Sequence, residues 1–258
     1  MPIVSLDKKT IILVGAGGQL GRVLSRSLLD AGANVLLVDS SAEALQRLEA
    51  DLGEQAKVQS ISADITHRSS VQAAFGAAIK RFGGVDGAVN CAYPRNPNYG
   101  RKFFDVEYED FAFNVSAHLG GYFLFMQQCA KYAIESGRDF SLVSMSSIYG
   151  VMAPRFEVYE DTPMTMPVEY AAIKSALQHL TSYVTNFTRG SRFRANCVSP
   201  GGIFAEQNEL FLQRYKEFCR IKGMLDSKDV VGAVLFLLSD AAEFVCGQNI
   251  VVDDGFSC

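Results

Sequence analysis

Tyr170 and Lys174 stand four residues apart in the segment Tyr170-Ala171-Ala172-Ile173-Lys174. In a helix that spacing puts the phenol and the ammonium on one face. A fixed positive charge beside a phenol favours the phenolate and lowers a pKa that starts near ~10. Such a tyrosine can take or give a proton near neutral pH, which is general acid/base chemistry. Ser147 closes an apolar run upstream of the pair. Two residue types at one spacing carry little by themselves. They acquire meaning only if the rest of the chain builds a cofactor site around them.

The elements that must position them follow one alternation throughout. Ile11–Val14, Asn34–Val38, Val58–Ile61, Val85–Val89, Ser141–Val143, Ala195–Val198 and Ile250–Val252 read as strands. Most are continuously apolar, as parallel strands buried on both faces are. Helical patterns lie between them, near Leu20–Ala31, Ala42–Leu52, Ser70–Phe82, Glu107–Ser136, Glu169–Arg189 and Lys228–Leu238. Strand–helix alternation with right-handed crossovers predicts an α/β fold, a Rossmann-like doubly wound parallel sheet of about seven strands with helices on both faces. Ligands of such sheets bind beyond the carboxyl ends of the strands.

Composition narrows the function classes. At 258 residues, 48% hydrophobic and 20% charged, the chain can build a large core and is expected to form one domain over 1–258. A formal charge of −4 without a Lys/Arg tract argues against nucleic acid or an anionic membrane surface as partner. Met1 to Thr10 lacks a signal-peptide layout, and the apolar stretch around Val230 to Leu238 is too short to span a bilayer. The six cysteines (Cys91, Cys129, Cys197, Cys219, Cys246, Cys258) form no Cys-x-x-Cys pair, and His67, His118 and His179 are scattered. No metal site is expected, and reduced thiols in a cytoplasmic protein are.

The first strand runs into Gly15-Ala16-Gly17-Gly18-Gln19-Leu20-Gly21, which opens a helix. Glycine permits the tight turn and lets the backbone approach a pyrophosphate seated on the helix N-terminus. Asp39 ends the second strand about 20 residues on, where a ribose-binding acid belongs, with Ser40 after it. No Gly-Lys-Ser/Thr follows the turn, so a mononucleotide phosphate loop is not indicated. A carboxylate there accepts both ribose hydroxyls and repels a 2′-phosphate, so NAD(H) is expected over NADP(H). Arg22, just inside the helix, is the residue that could argue otherwise, and Asp39 could instead serve as a helix cap.

Taken together the chain resembles the short-chain dehydrogenase/reductase family from Ile11 to Gly255. The matching pieces are the glycine turn, Asp64 in Ala-Asp-Ile-Thr, Asn90-Cys91-Ala92, Asn114, Met145-Ser146-Ser147, Tyr170-x-x-x-Lys174, Asn196 to Gly201, and Val251 to Gly255. The resemblance implies that Tyr170 exchanges a proton with the substrate oxygen and that Lys174 lowers its pKa and binds the nicotinamide ribose. It implies that Ser147, rather than Ser146, hydrogen-bonds the substrate oxygen, and that Asn114 holds a water of the proton relay. Asp64 and Ile65 would flank the adenine, Asn90 and Ala92 the adenosine ribose region, and Pro200, Gly201 and Ile203 the nicotinamide. Asn114 could instead only cap or bridge backbone, and Ser147 only stabilise a turn.

Three departures point to the substrate. The glycines fall as Gly15-x-x-Gly18-x-x-Gly21, with Gln19 where shorter members carry glycine, a spacing similar to the branch acting on nucleotide sugars. The usual Asn-Asn-Ala-Gly is Asn90-Cys91-Ala92-Tyr93, which reshapes the following loop. The interval from Ser147 to Tyr170 is about ten residues longer than in typical short members. The stretch from Ser146 to Ile203 resembles oxidoreductases linked to flagellin modification and sialic-acid-like sugar synthesis. Tyr93, Arg95, Ser147 and Arg155 are the candidate substrate contacts; both arginines could hold a phosphate or carboxylate, or be solvated surface charges.

Residues 204–225 follow the nicotinamide turn and resemble the family's mobile lid, with Phe204-Ala205 where a threonine is usual. The segments Glu107–Ser136 and Glu169–Arg189 carry surplus apolar surface, and relatives pair these helices, implying a homodimer or homotetramer. The expected activity is interconversion of a secondary alcohol and a ketone on a polar, sugar-like small molecule. A nucleotide-sugar epimerase or dehydratase and a silent NAD-binding scaffold are the rival readings. Too little chain follows Pro200 for the first, and the intact Ser147, Tyr170 and Lys174 set opposes the second.

Overall fold

The computed structural model describes residues 4–53 and 56–258. Met1, Pro2 and Ile3 of the amino-terminal stretch lie outside the described residues. Seven strands form one sheet: β1 Thr10–Val14, β2 Asn34–Asp39, β3 Val58–Ser62, β4 Gly87–Asn90, β5 Phe140–Met145, β6 Phe193–Pro200 and β7 Asn249–Val252. Their order is β3-β2-β1-β4-β5-β6-β7, and every pairing is parallel. All seven expected strands are present, with ends displaced by up to two residues.

The strands are apolar on both sides because both sides are covered. Ile11 and Leu13 turn to one face and pack with Leu24 and Leu28 of α1 (Gln19–Asp30), Leu45 and Leu48 of α2 (Ala42–Leu52), and Val234 and Leu237 of α7 (Val231–Leu238). Ile12 and Val14 turn to the other, against Phe75 of α3 (Arg68–Phe82), Phe125 of α4 (Tyr108–Ser136), and Ile173 and Leu177 of α5 (Val168–Phe187). The period-two alternation of a strand thus feeds two separate cores. Truncating a fully buried residue such as Ile12 to Ala is expected to cost about 2–5 kcal/mol.

Between β1 and β4 the sheet order reverses, so the connections leaving these two strands diverge and open a crevice at their carboxyl ends. Two additions roof that crevice. The long interval before α5 holds short 3-10 turns at Ile148–Gly150 and Phe156–Val158, and the segment after β6 carries a helix of its own, α6 (Glu209–Glu217). Asn208 caps α6 by accepting from the Leu210 N–H at 2.9 Å. Within the lid stretch the sequence suggested only flanking helical patterns, and α6 is the correction. Its polar face dilutes the apolar periodicity, but Phe211 and Tyr215 at i and i+4 are both buried. They join Ile148, Tyr149, Val158 and Phe256 in a third cluster, where the Tyr215 and Phe256 rings stack at 4.1 Å. The roof therefore has its own small core, distinct from the two on the faces of the sheet.

Candidate active site

The glycine turn is tight for reasons visible at two positions. Gly15 has φ +76°, and a Cβ there would lie 2.8 Å from the Cys91 carbonyl carbon and the Ala92 nitrogen, where the β1 and β4 connections touch. A Cβ on Gly21 would lie 2.1 Å from the Gly15 oxygen, so the first turn of α1 closes against the loop it leaves. Asp39 is not the cap of α2; Ser41 is, accepting from the Ala44 N–H. Asp39 accepts instead from the Gly17 N–H at 2.9 Å and the Ser41 N–H at 3.0 Å. It clamps the glycine turn to the second strand.

A cavity of about 230 Å3 runs along this turn, lined by Gly15, Gly18, Asp39, Ser40, Asp64, Ile65, Ala92 and Tyr93 among others. No basic side chain lines it. Arg22, outside this lining, donates to the Gly17 oxygen of the turn at 3.1 Å. Burial would raise the Asp64 carboxyl, but the Thr66 N–H and hydroxyl hold it below its ordinary value. Asn90 ends β4 fully enclosed; its Oδ1 accepts from the Ala92 N–H at 3.0 Å and its Nδ2 has no partner. A glycine-walled groove at a helix N-terminus, an acid at the second strand and an unused buried donor fit a dinucleotide.

Cys91, Ala92 and Tyr93 also border a larger cavity of about 450 Å3. Ser147, Tyr170 and Lys174 line it together with Leu20, Pro200, Gly201 and Ile203. The Lys174 ammonium lies 5.5 Å from the centre of the Tyr170 ring and donates to the Met145 oxygen at 2.7 Å. Burial pulls Lys174 down to about 8. The phenol does not behave as the spacing alone suggested. Burial pushes Tyr170 up to about 12, with the Ser147 hydrogen bond pulling the other way. Desolvation of the phenolate outweighs the Ser147 hydrogen bond in the protein alone. Ser146 is spent on structure, donating to the Lys174 carbonyl oxygen at 2.8 Å. Ser147 accepts from the Tyr149 N–H at 3.2 Å, and its hydroxyl is directed to the Tyr170 oxygen in the cavity.

Of the remaining candidates, Tyr93 lines the cavity, while Asn114, Arg95 and Arg155 lie outside its lining. Asn114 is buried but does not reach Lys174. It accepts from the Asn96 N–H at 2.9 Å and donates to Glu169 Oε1 at 3.2 Å, tying the reshaped loop to α4 and α5. Arg155 leaves the site: its guanidinium lies over Phe218 at 4.4 Å and Phe256 at 5.4 Å and donates to the Phe256 oxygen. Three groups of the roof and C-terminus, far away in sequence, claim it. Arg95 is exposed and stacks over Tyr93 at 4.6 Å, outside the cavity. Tyr93 itself stays in the wall, edge-on to Tyr170 at 5.7 Å. Gln19 joins glycine turn to lid by donating to the Phe204 oxygen at 2.6 Å.

Residues not anticipated complete the cavity: Tyr149, Tyr159, Met164, Met166, Phe211 and Met224. Tyr159 donates to the Tyr149 hydroxyl at 3.3 Å. Lys174 is the one charged side chain in the lining. His118, one turn after Asn114 on the same face of α4, touches Lys174; that i, i+4 relation was the available signal.

The family profile described as enoyl-(acyl carrier protein) reductase matches residues 15–257. The post-translational flagellin modification protein A of Campylobacter coli is 35% identical over 97% of this chain and 99% of that one. The chain belongs to the short-chain dehydrogenase/reductase family. A 2,5-dichloro-2,5-cyclohexadiene-1,4-diol dehydrogenase of Sphingobium indicum is 30% identical over 98% of each chain. A short-chain dehydrogenase of Leptospira borgpetersenii, solved with bound NAD+, superposes with a TM-score of 0.86 at 30% identity, over 99% of this chain and 95% of that one. The protein is thus an oxidoreductase of this family with its Rossmann-like parallel sheet. No helix among the described residues is long and apolar enough to cross a membrane.

Proposed function

We propose that the protein is an NAD(H)-dependent oxidoreductase that interconverts a secondary alcohol and a ketone on a polar, sugar-derived ring, with Tyr170 as general acid/base. The observation that carries this is the meeting of Ser147, Tyr170 and Lys174 in one cavity that shares a wall with the glycine-turn groove. When bound, the cofactor supplies one function, accepting or giving the hydride. Gly15, Gly18, Asp39, Asp64 and Ile65 would hold its adenosine half, and Leu20, Pro200, Gly201 and Ile203 its nicotinamide half.

The protein's own part is the proton and the orientation. In alcohol oxidation the Tyr170 phenolate oxygen takes the substrate hydroxyl proton as the carbon loses hydride; in ketone reduction the phenol returns it. Ser147, hydrogen-bonded to Tyr170 in the protein alone, would turn its hydroxyl proton to the substrate oxygen. Lys174 places a positive charge near the phenol in a water-poor pocket, where charge acts strongly. Asp39, in a groove without a basic lining residue, supports NAD(H) over NADP(H). Aromatic and thioether walls suit the C–H face of a ring. With Arg95 and Arg155 engaged elsewhere, the ring is recognised without an arginine–phosphate contact. The flagellin-modifying relative supports placement in modified-sugar chemistry. We also infer one catalytic unit per chain and a homodimer or homotetramer built on α4 and α5.

The test is an absorbance screen at the NADH band with neutral, phosphorylated and nucleotide-linked sugars and simple cyclic diols. Neutral rings with NAD+ are expected to turn over, and Tyr170→Phe to remove about 10²–10⁴-fold of kcat while NAD+ still binds. A preference for NADP+ would sink the cofactor assignment. Full turnover by Tyr170→Phe would sink the mechanism.

A further inference from the structure

Lys174 has three ammonium protons and no accepting capacity. One goes to the Met145 oxygen at 2.7 Å. A second faces His118 Nε2 at 3.4 Å. That leaves one for the cavity that Lys174 lines. His118 is fully enclosed, its ring edge-on to Tyr93 at 5.1 Å and tilted on Tyr122 at 5.3 Å, so its position is fixed from two sides. An ammonium can only donate, so beside a charged Lys174 Nε2 presents its lone pair and the ring proton sits on Nδ1, a buried atom with no partner among the described residues. His118 is therefore one specific tautomer of a neutral imidazole.

We propose that His118 is a positioning residue for Lys174: its Nε2 accepts an ammonium hydrogen and fixes the direction of the proton left for the site. This rests on the dehydrogenase reading for its purpose, though not for its geometry. The titratable and charged groups facing the imidazole are Lys174 from α5, Tyr93 and Arg95 from the loop after β4, and Tyr122 from its own helix. Burial, then the Lys174 and Arg95 charges, pull His118 down to about 2, which agrees with a ring that never competes for the lysine's proton. Asn114, one turn earlier on α4, is occupied by Asn96 and Glu169, which leaves the contact with Lys174 to His118.

The arrangement can be read without a substrate. The chain has three histidines, so long-range 1H–15N spectra of the 15N-labelled full-length protein contain three imidazoles, and the one absent from His118→Gln is His118. The expected spectrum is neutral from pH 5.5 to 9.5 and Nδ1-protonated below about pH 8, where Lys174 carries its charge. Its Nε2 resonance should move in a single step near pH 8, where Lys174 loses its charge, and the step should vanish in Lys174→Met. Tyr170→Phe, which disables the acid/base group, should leave it in place. Three results would each overturn the proposal: protonation of His118 near the ordinary ~6.5, an Nε2–H tautomer below pH 8, or an Nε2 step retained in Lys174→Met. Should Lys174→Met fail to fold, the wild-type tautomer and titration decide alone. Because no turnover is measured, a failed dehydrogenase assay and a failed His118 test are separate results.

Discussion

At the scale of the residue, the direction of the Tyr170 shift sets the pH dependence. A phenol pushed up to about 12 is protonated at neutral pH, ready to give its proton to a ketone. Alcohol oxidation needs the phenolate, whose fraction grows about tenfold per pH unit below the pKa. Oxidation should therefore accelerate with pH at a log-slope near one, while reduction stays flat through the neutral range. Lys174, held at about 8, loses its charge above that pH and with it some support for the phenolate, so the oxidative slope should fall below one there. Initial rates in both directions from pH 6 to 10 check this, and an oxidation rate independent of pH would contradict it. Asp39 makes a second prediction. Its carboxylate clamps Gly17 and would repel a 2′-phosphate. Asp39→Ala should shift the NAD+-to-NADP+ ratio of Kd values toward NADP+ by about 10–100-fold, roughly 1.4–2.7 kcal/mol. The lost acceptor for two backbone N–H groups should also cost about 1–3 kcal/mol of stability. Titration with each cofactor and thermal unfolding measure the two effects.

At the scale of the element, the roof joins two segments that the sequence leaves far apart. Arg214 of α6 donates to the Glu160 oxygen and, at 3.1 Å, to Asp161 Oδ2, both on the long interval before α5. These contacts join α6 to the interval before α5 as one unit over the cavity. Asp161 is largely exposed, so the pair contributes little to stability. Arg214→Ala should leave the Tm within a couple of degrees and the Kd for NAD+ unchanged, yet raise KM several-fold as the roof loosens. An unchanged KM would separate the roof from substrate binding. What the sequence made legible here follows from the range of the interactions involved. Strands, the glycine turn and Tyr170/Lys174 depend on local period and spacing, so their places could be read off directly. The partners of Arg155 and Asn114 (Phe218, Phe256, Asn96, Glu169) were not legible, because they arrive from other parts of the chain. The Tyr170 shift was misjudged because charge spacing is visible in a sequence and desolvation is not.

At the scale of the whole molecule, one surface stands out on the flank of the sheet. Phe123 and Ile134 of α4 and Tyr183 and Phe187 of α5 are exposed together around an apolar hollow of about 460 Å3. The Tyr183 and Phe187 rings lie parallel at 6.4 Å, an i, i+4 pair facing outward. Exposed contiguous apolar surface of this kind marks an interaction site more often than bare surface. The same two helices carry residues of the candidate site on their inner side: α5 holds Tyr170 and Lys174, and α4 holds His118, which touches Lys174. A twofold contact through α4 and α5 would brace the walls on which these groups sit. The double variant Tyr183→Asp, Phe187→Asp puts two charges into such a contact without touching the cavity lining. It should sediment as a monomer where the parent protein sediments as a dimer or tetramer, and lose several degrees of Tm. It should also lower kcat more than the Kd for NAD+, because Gly15 to Gly21 and Asp39 lie on elements remote from α4 and α5. A variant whose sedimentation matches the parent would place the subunit contact elsewhere on the molecule.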